Sequence, residues 1–268
     1  MRTSELSRPV TEILREAAES AVLPRFRALA AGDVSEKSPG EVVTAADRDA
    51  ERLITRRLRE LLDIPVVGEE AAAADPGITA ALHDAPRAWL VDPLDGTSNF
   101  VRGSTDFAVM AALVQGGETV AAWIIQPMSG VSYVAELGAG AWRDGVRLRR
   151  EPAPSSLADL RGAALTGFLS PRARARIAAS ASRFAALTPG TGCAGVDYPR
   201  LAEGGQDFVR YERTLAWDHA PGALLLTEAG GVAQRLDGSR YRPDDERRGL
   251  LNAADPACWA TVLPLLVG

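Results

Sequence analysis

Ala88-Trp89-Leu90-Val91-Asp92-Pro93-Leu94-Asp95-Gly96-Thr97 is the stretch from which the rest of this chain is read. Four apolar residues read as a short buried strand, and two aspartates three apart follow where it stops. Pro93 stiffens the backbone between them. Gly96 either takes a conformation closed to other residues or lets a ligand approach the backbone. Thr97 offers a hydroxyl at the start of a short helical turn. Two carboxylates, the carbonyl of Leu94 and a set of free N–H groups are thereby delivered to one spot. Hard anionic oxygens suit Mg²⁺, and N–H groups at a helix start suit phosphate.

Working outward, a second acidic pair, Glu69-Glu70, ends a short apolar strand over 64–68. A third acid, Asp218, lies in Trp217-Asp218-His219-Ala220-Pro221-Gly222, where it can cap the helix that follows. Asp47 opens an amphipathic helix over 47–62, with Ile54, Leu58, Leu61 and Leu62 on its buried side. Carboxylates clustered together repel one another, and a metal resolves that repulsion.

The N-terminal periodicity predicts a helix over 6–31, kinked or broken by Pro24 and ended by Gly32. Residues 33–46 read as a polar connector and 71–86 as a loose Ala/Gly/Pro stretch. Strands over 107–114, 119–126, 131–136 and 141–143 make an antiparallel meander. A Pro/Ser-rich break at 152–156 suggests two subdomains, 1–151 with the metal-site motifs and the meander, and 152–268 supplying Asp218 and the loops that frame a substrate. Beyond the break come a strand (161–166), an Arg-rich helix (171–184), a helix after Gly192, a strand near 207–211 and a helix over 218–229. The mixture is α/β or α+β, with helices packed over sheets.

Composition narrows the chemistry. The chain has 268 residues, 46% of them hydrophobic and 24% charged, which is an ordinary globular balance. A net charge of −5 gives no electrostatic footprint for nucleic acid. No apolar run is long enough for a transmembrane helix, and the first residues lack the apolar core of a secretory signal, so a cytoplasmic location is expected. Cys193 and Cys258 form no zinc pattern. With only two histidines, His83 and His219, catalysis is expected to rest on carboxylates.

Gly68-Glu69-Glu70, Asp92-Pro93-Leu94-Asp95-Gly96-Thr97 and Trp217-Asp218-x-Ala220-x-Gly222, in this order and spacing, closely resemble the inositol monophosphatase family of Mg²⁺-dependent, lithium-sensitive phosphatases. The likeness runs from Val42-Val43-Thr44-x-x-Asp47 to Thr227-Glu228-Ala229-Gly230-Gly231. It implies a layered αβαβα sandwich of the inositol monophosphatase/fructose-1,6-bisphosphatase type, commonly a homodimer, and a small phosphorylated metabolite as substrate. It implies two or three Mg²⁺ ions. Glu69, Asp92 and the Leu94 carbonyl would hold the first; Asp92, Asp95 and Asp218 the second. Thr97 and Asp47 would act on the attacking water, and the N–H groups of Gly96, Thr97 and Ser98 would bind phosphate. Gly192, Cys193, Ala194, Tyr211 and Glu212 would frame the leaving group.

Substrate is less legible than reaction type. Inositol-specific members carry a glutamate seven residues before the metal aspartate; here that position is Tyr211, with Glu212 beside it and expected to point to the other face of its strand. An aromatic wall at Tyr211 would favour a flat leaving group, such as that of histidinol phosphate or adenosine 3',5'-bisphosphate, over a cyclitol. Arg210 and Arg213 flank it and are candidates for meeting a second anionic group. Lys37, the sole lysine, is a candidate for holding an anion or limiting a third metal site. A non-catalytic sensor of metal and phosphate is the reading from another class.

Overall fold

The structure is a computed structural model describing residues 3–30, 32–38 and 41–267. Helix α1 (Thr3–Ala17) widens into a π turn at Ala18–Val22 and tightens into a 3₁₀ turn at Leu23–Arg25, so the break expected at Pro24 begins several residues earlier. The supposed connector is a hairpin, β1 (Val34–Ser38) with β2 (Glu41–Thr44), paired antiparallel. It feeds α2 (Ala45–Leu61), whose buried stripe is Ala46, Asp47, Ala50, Glu51, Ile54 and Leu58. β3 (Val66–Gly68) runs into α3 (Glu69–Ala74). The stretch expected to be loose is folded as α3, a 3₁₀ turn at Pro76–Ala80 and α4 (Ala81–Asp84).

β4 (Arg87–Asp95) continues through the acidic motif, with a register shift against its neighbour between Asp92 and Asp95. After α5 (Thr97–Val101) comes the meander: β5 (Ala108–Gln115), β6 (Glu118–Gln126), β7 (Val131–Glu136), β8 (Gly140–Arg143) and β9 (Val146–Leu148). Among the described residues β3 to β9 form one seven-stranded sheet in sequence order, parallel only at β3–β4.

The chain then builds β10 (Arg161–Ala164), α6 (Pro171–Ser180), β11 (Ala186–Thr188), α7 (Ala194–Ala202), β12 (Phe208–Tyr211), α8 (Ala216–Ala229), β13 (Val232–Arg235), β14 (Leu250–Ala253) and α9 (Pro256–Leu266). The second sheet has the order β11-β10-β12-β14-β13.

Strand alternation sets the layers, because successive side chains leave opposite faces. Trp89, Val91, Val109, Ala111, Trp123 and Ile125 face α1 and α2. Leu90, Met110, Ala112 and Ile124 face the other way, into a core shared with α7 and α8 and with Val209, Tyr211 and Leu250 of the second sheet. The far face of that sheet, with Phe208, Leu251 and Ala253, is covered by Ile177 of α6 and by Cys258, Val262 and Leu266 of α9. The result is the expected αβαβα sandwich. At ~25 cal/mol per Å² of apolar area, these three cores are the main source of stability. They also fix the ends of β4, α2 and α8 where the acidic residues lie.

Candidate active site

Glu69, Asp92, Leu94, Asp95, Gly96, Thr97, Ser98, Gly192 and Asp218 line one cavity of about 160 Å³, with Glu41, Val42 and Arg213 at its edge. A second cavity of about 330 Å³ shares Asp95, Gly192, Arg213 and Asp218 with it and adds Cys193, Ala194, Tyr211, Glu212 and the loop 165–168. Every residue expected to bind metal, phosphate or leaving group lines one of the two; Asp47 reaches the first through Thr97, Lys37 and Glu70 pair beside Glu69, and Arg210 pairs with Glu212.

The backbone makes this convergence by specific local choices. Gly96 has φ +83, and a Cβ there would come within 2.8 Å of the Asp106 carbonyl, so only glycine turns β4 into α5 at this point. Thr97 and Ser98 then open α5, where N–H groups have no intrahelical acceptor. Gly68 is required for a different reason: a Cβ would strike the Glu51 carboxylate. That carboxylate accepts hydrogen bonds from Glu70 N (2.7 Å) and Ala71 N (2.9 Å) and so seats the start of α3. Glu51 was not singled out from the sequence. Its signal is a charged residue on the buried stripe of α2, one turn after Asp47.

Asp47 is held on three sides. Its Oδ2 accepts from Thr44 N at 2.8 Å and Thr44 Oγ1 at 2.6 Å, and its Oδ1 accepts from Thr97 Oγ1 at 2.9 Å. Burial raises its pKa despite those bonds. Asp47 therefore caps its helix and also faces Thr97. The Thr97 hydroxyl stands 2.9 Å from the Leu94 carbonyl as well, so its single proton is shared between two acceptors.

The remaining acids repel one another. Asp92 is 1% exposed, and its pKa is raised by burial, then by Glu69, Asp95 and Asp218. Asp218 is raised by burial and by Asp95 and Glu69. Asp95 is pushed up to about 7 by burial, although Gly195 N (2.6 Å) and the Cys193 thiol (3.0 Å) donate to its Oδ2. Burial also raises Cys193 itself, followed by Asp95, so it is a thiol donor rather than a nucleophile.

Burial and like charge favour a proton on these carboxyls, and a divalent cation can take its place. The donors are carboxylates and one carbonyl, the oxygen set that Mg²⁺ takes. They share a cavity, but among the described residues no three acids, cysteines or histidines stand in an arrangement that already holds an ion. Lys37 Nζ lies 2.8 Å from Glu69 and 2.5 Å from Glu70, so one of the acids read as a metal ligand is paired with the sole lysine. Burial would lower the Lys37 pKa, but Glu69 and Glu70 outweigh it and raise it.

Tyr211 lies where the sequence put it, yet it is 4% exposed, stacked on Tyr198 (centroids 5.5 Å) and edge-on to His219 (4.6 Å). Glu212 Oε2 accepts from Arg210 Nη2 at 2.7 Å. His219 lines the second cavity and bonds the Tyr198 hydroxyl and the Arg213 carbonyl, both at 3.1 Å.

The fold and its oxygen-lined cavity define a layered phosphatase-type sandwich with its acidic motifs at strand and helix ends. The chain belongs to the inositol monophosphatase family, whose sequence model matches residues 4–264. It is 35% identical over 210 residues to an inositol-1-monophosphatase of Rhizobium meliloti, covering 76% of each chain. It is 32% identical over 252 residues to the Nus factor SuhB of Xylella fastidiosa, covering 90% of this chain and 87% of that one. The structure of the extragenic suppressor protein suhB from Bartonella henselae superposes with a TM-score of 0.79 at 25% identity, covering 96% of this chain and 98% of that one. Among the described residues no helix is long and apolar enough to cross a membrane.

Proposed function

We propose that the protein is a Mg²⁺-dependent phosphomonoesterase acting on a small phosphorylated metabolite. The observation that carries the reading is one cavity that gathers Glu69, Asp92, Asp95 and Asp218 beside the Thr97–Asp47 pair. Glu69, Asp92 and the Leu94 carbonyl are the donors for one ion; Asp92, Asp95 and Asp218 are those for another. Bound there, Mg²⁺ supplies charge that favours deprotonation of a water and neutralises phosphoryl oxygens.

The chain's own groups do the rest. With the Leu94 carbonyl engaged, the Thr97 proton goes to Asp47, and the Thr97 lone pairs face the cavity to orient the attacking water. The water's proton passes through the hydroxyl to Asp47, whose affinity for it burial has raised. Water oxygen bonds to phosphorus as the ester P–O bond breaks, and the departing alkoxide takes a proton from solvent. The N–H groups of Gly96, Thr97 and Ser98 hold the phosphoryl oxygens.

The test is phosphate release from inositol, sugar, histidinol and nucleotide monophosphates with Mg²⁺ or with EDTA. Release from at least one ester, abolished by EDTA, is expected. No release from any, or release indifferent to EDTA, overturns the reading. Likeness to a protein named Nus factor supports a second reading, a binding role on the same scaffold, which requires no turnover.

A further inference from the structure

The second cavity contains a side chain that neither its stability nor the hydrolytic chemistry accounts for. Phe168 is 55% exposed; among the described residues it is the one aromatic in the small set of exposed large apolar side chains, and the one member of that set in this cavity. The exposure is built in. Leu165 N donates to Arg210 O (3.0 Å) and Leu169 N to Thr166 O (3.1 Å), closing a turn with Phe168 near its tip. On one side of that tip Leu169 is buried in the outer core; then Ser170 caps α6. Anchors before and after it hold the ring out of the core.

Arg213 completes the feature. Its guanidinium carbon lies 4.5 Å from the centroid of the Phe168 ring. Its carbonyl is fixed by His219, and its charge is paired with Glu41 of β2. Paired in this way, the guanidinium offers a flat face more than a free charge. The cavity runs from Asp95 and Asp218 to this pair, and its 330 Å³ is the size of a small-molecule site. Several polar groups along the way are already engaged or covered. Glu212 Oε2 is occupied by Arg210, the Cys193 thiol is turned to Asp95, and the Tyr211 hydroxyl is buried.

We infer that Phe168 and Arg213 form the leaving-group subsite and select phosphomonoesters whose alcohol carries a planar unsaturated ring over polyhydroxylated ones. The inference rests on the phosphomonoesterase reading for the position of the phosphate. It moves the aromatic wall expected at Tyr211 to Phe168, and it makes Arg213 a stacking surface, not a second anion site.

Adenosine 5'-monophosphate and ribose 5-phosphate form a matched pair differing by the ring, with histidinol phosphate as a small-ring arm and inositol 1-phosphate as the polyol. Stacking of one base on an aromatic side chain is worth about tenfold or more in binding. The wild-type kcat/KM ratio of the nucleotide to the sugar phosphate should exceed about ten, and Phe168→Ala should lower it about tenfold while Phe168→Tyr retains it. Histidinol phosphate follows the nucleotide if any flat ring suffices, and falls below it if a purine is required. The same contrast is read as Kd by titration calorimetry, with Ca²⁺ replacing Mg²⁺ to slow turnover. A ring-to-sugar ratio of one or less, or a ratio untouched by Phe168→Ala, overturns the subsite even if both esters are hydrolysed. A binding contrast without hydrolysis leaves the subsite standing and removes the phosphatase reading. Neither binding nor hydrolysis of any of these esters removes both.

Discussion

Mg²⁺ should stabilise the folded chain more at pH 8 than at pH 5, and the structure gives the size of the difference. Asp95 is pushed up to about 7 from 3.8 by burial, and Asp92 and Asp218 move the same way. A carboxyl with a raised folded pKa stabilises the fold while protonated; that contribution is full below about pH 4 and lost as pH rises through about 7. A cation can occupy these oxygens only after the proton leaves. At pH 5 Asp95 is about two pH units below its folded pKa, so displacing its proton costs about 3 kcal/mol at ~1.4 kcal/mol per unit. At pH 8 it is already ionised. For a chain of this size 1 kcal/mol moves Tm by about 2–4 °C, so the Mg²⁺-minus-EDTA shift should be about 6–12 °C larger at pH 8. The difference must be taken at each pH separately. His219, lowered by burial to about 3 from 6.5, has the opposite sign: its contribution is present above pH 6.5 and fades as pH falls. Scanning calorimetry at both pH values is the assay. An Mg²⁺ shift that is equal at pH 5 and pH 8, or larger at pH 5, refutes the placement of the cation among these carboxyls.

Further outcomes follow from the same geometry. Thr97→Ala and Asp47→Asn should each lower kcat with little change in KM, and the double variant should lose far less than the product of the two, because one hydrogen bond joins them; additive losses in steady-state kinetics would assign them to separate steps. Gly96→Ala should cost at least ~1–3 kcal/mol in chemical denaturation, since φ +83 disfavours a side chain and its Cβ would meet the Asp106 carbonyl. A cost below about 0.5 kcal/mol in a variant that keeps full activity would show that the turn does not need glycine.

The local geometry of the proposed site was legible because it lies within one short segment. Asp92-Pro93-Leu94-Asp95-Gly96-Thr97 states in six residues a strand end, its bulge, a left-handed turn and a helix start, whereas Asp218, read as a cap, lies inside the first turn of α8, which opens at Ala216 with Leu215 as its N-cap. Helices packed over sheets followed from strand alternation and helical stripes, and the order of the layers from the family resemblance. What escaped depends on contacts distant in sequence. Among the described residues β1 and β2 pair only with each other, and their short polar strands lack the apolar alternation that marks a buried sheet. Residues 71–86 fold into short helical turns whose alanines and single Pro76-Gly77 pair give no 3.6-residue stripe. Glu51 has a role only because the α3 N–H groups lie beside it. Tyr211 and Phe168 make the point at the substrate end. The aromatic at the position counted from Asp218 is covered by Tyr198 and His219, whereas the exposed one is in a turn with no motif around it.

Turnover by Asp92→Asn, measured beside wild type with Mg²⁺ and a substrate found in the ester screen, tests the central claim most directly. Asp92 is the donor common to both proposed ions, and it is buried among like charges. Replacing a buried, repelled carboxylate by an amide of the same shape should leave the fold intact, and in EDTA at pH 8 the variant should be at least as stable as wild type. The account predicts a fall in kcat/KM of three orders of magnitude or more, about 4 kcal/mol or more in transition-state stabilisation, with unchanged circular dichroism. Wild-type turnover in a folded Asp92→Asn protein would contradict it.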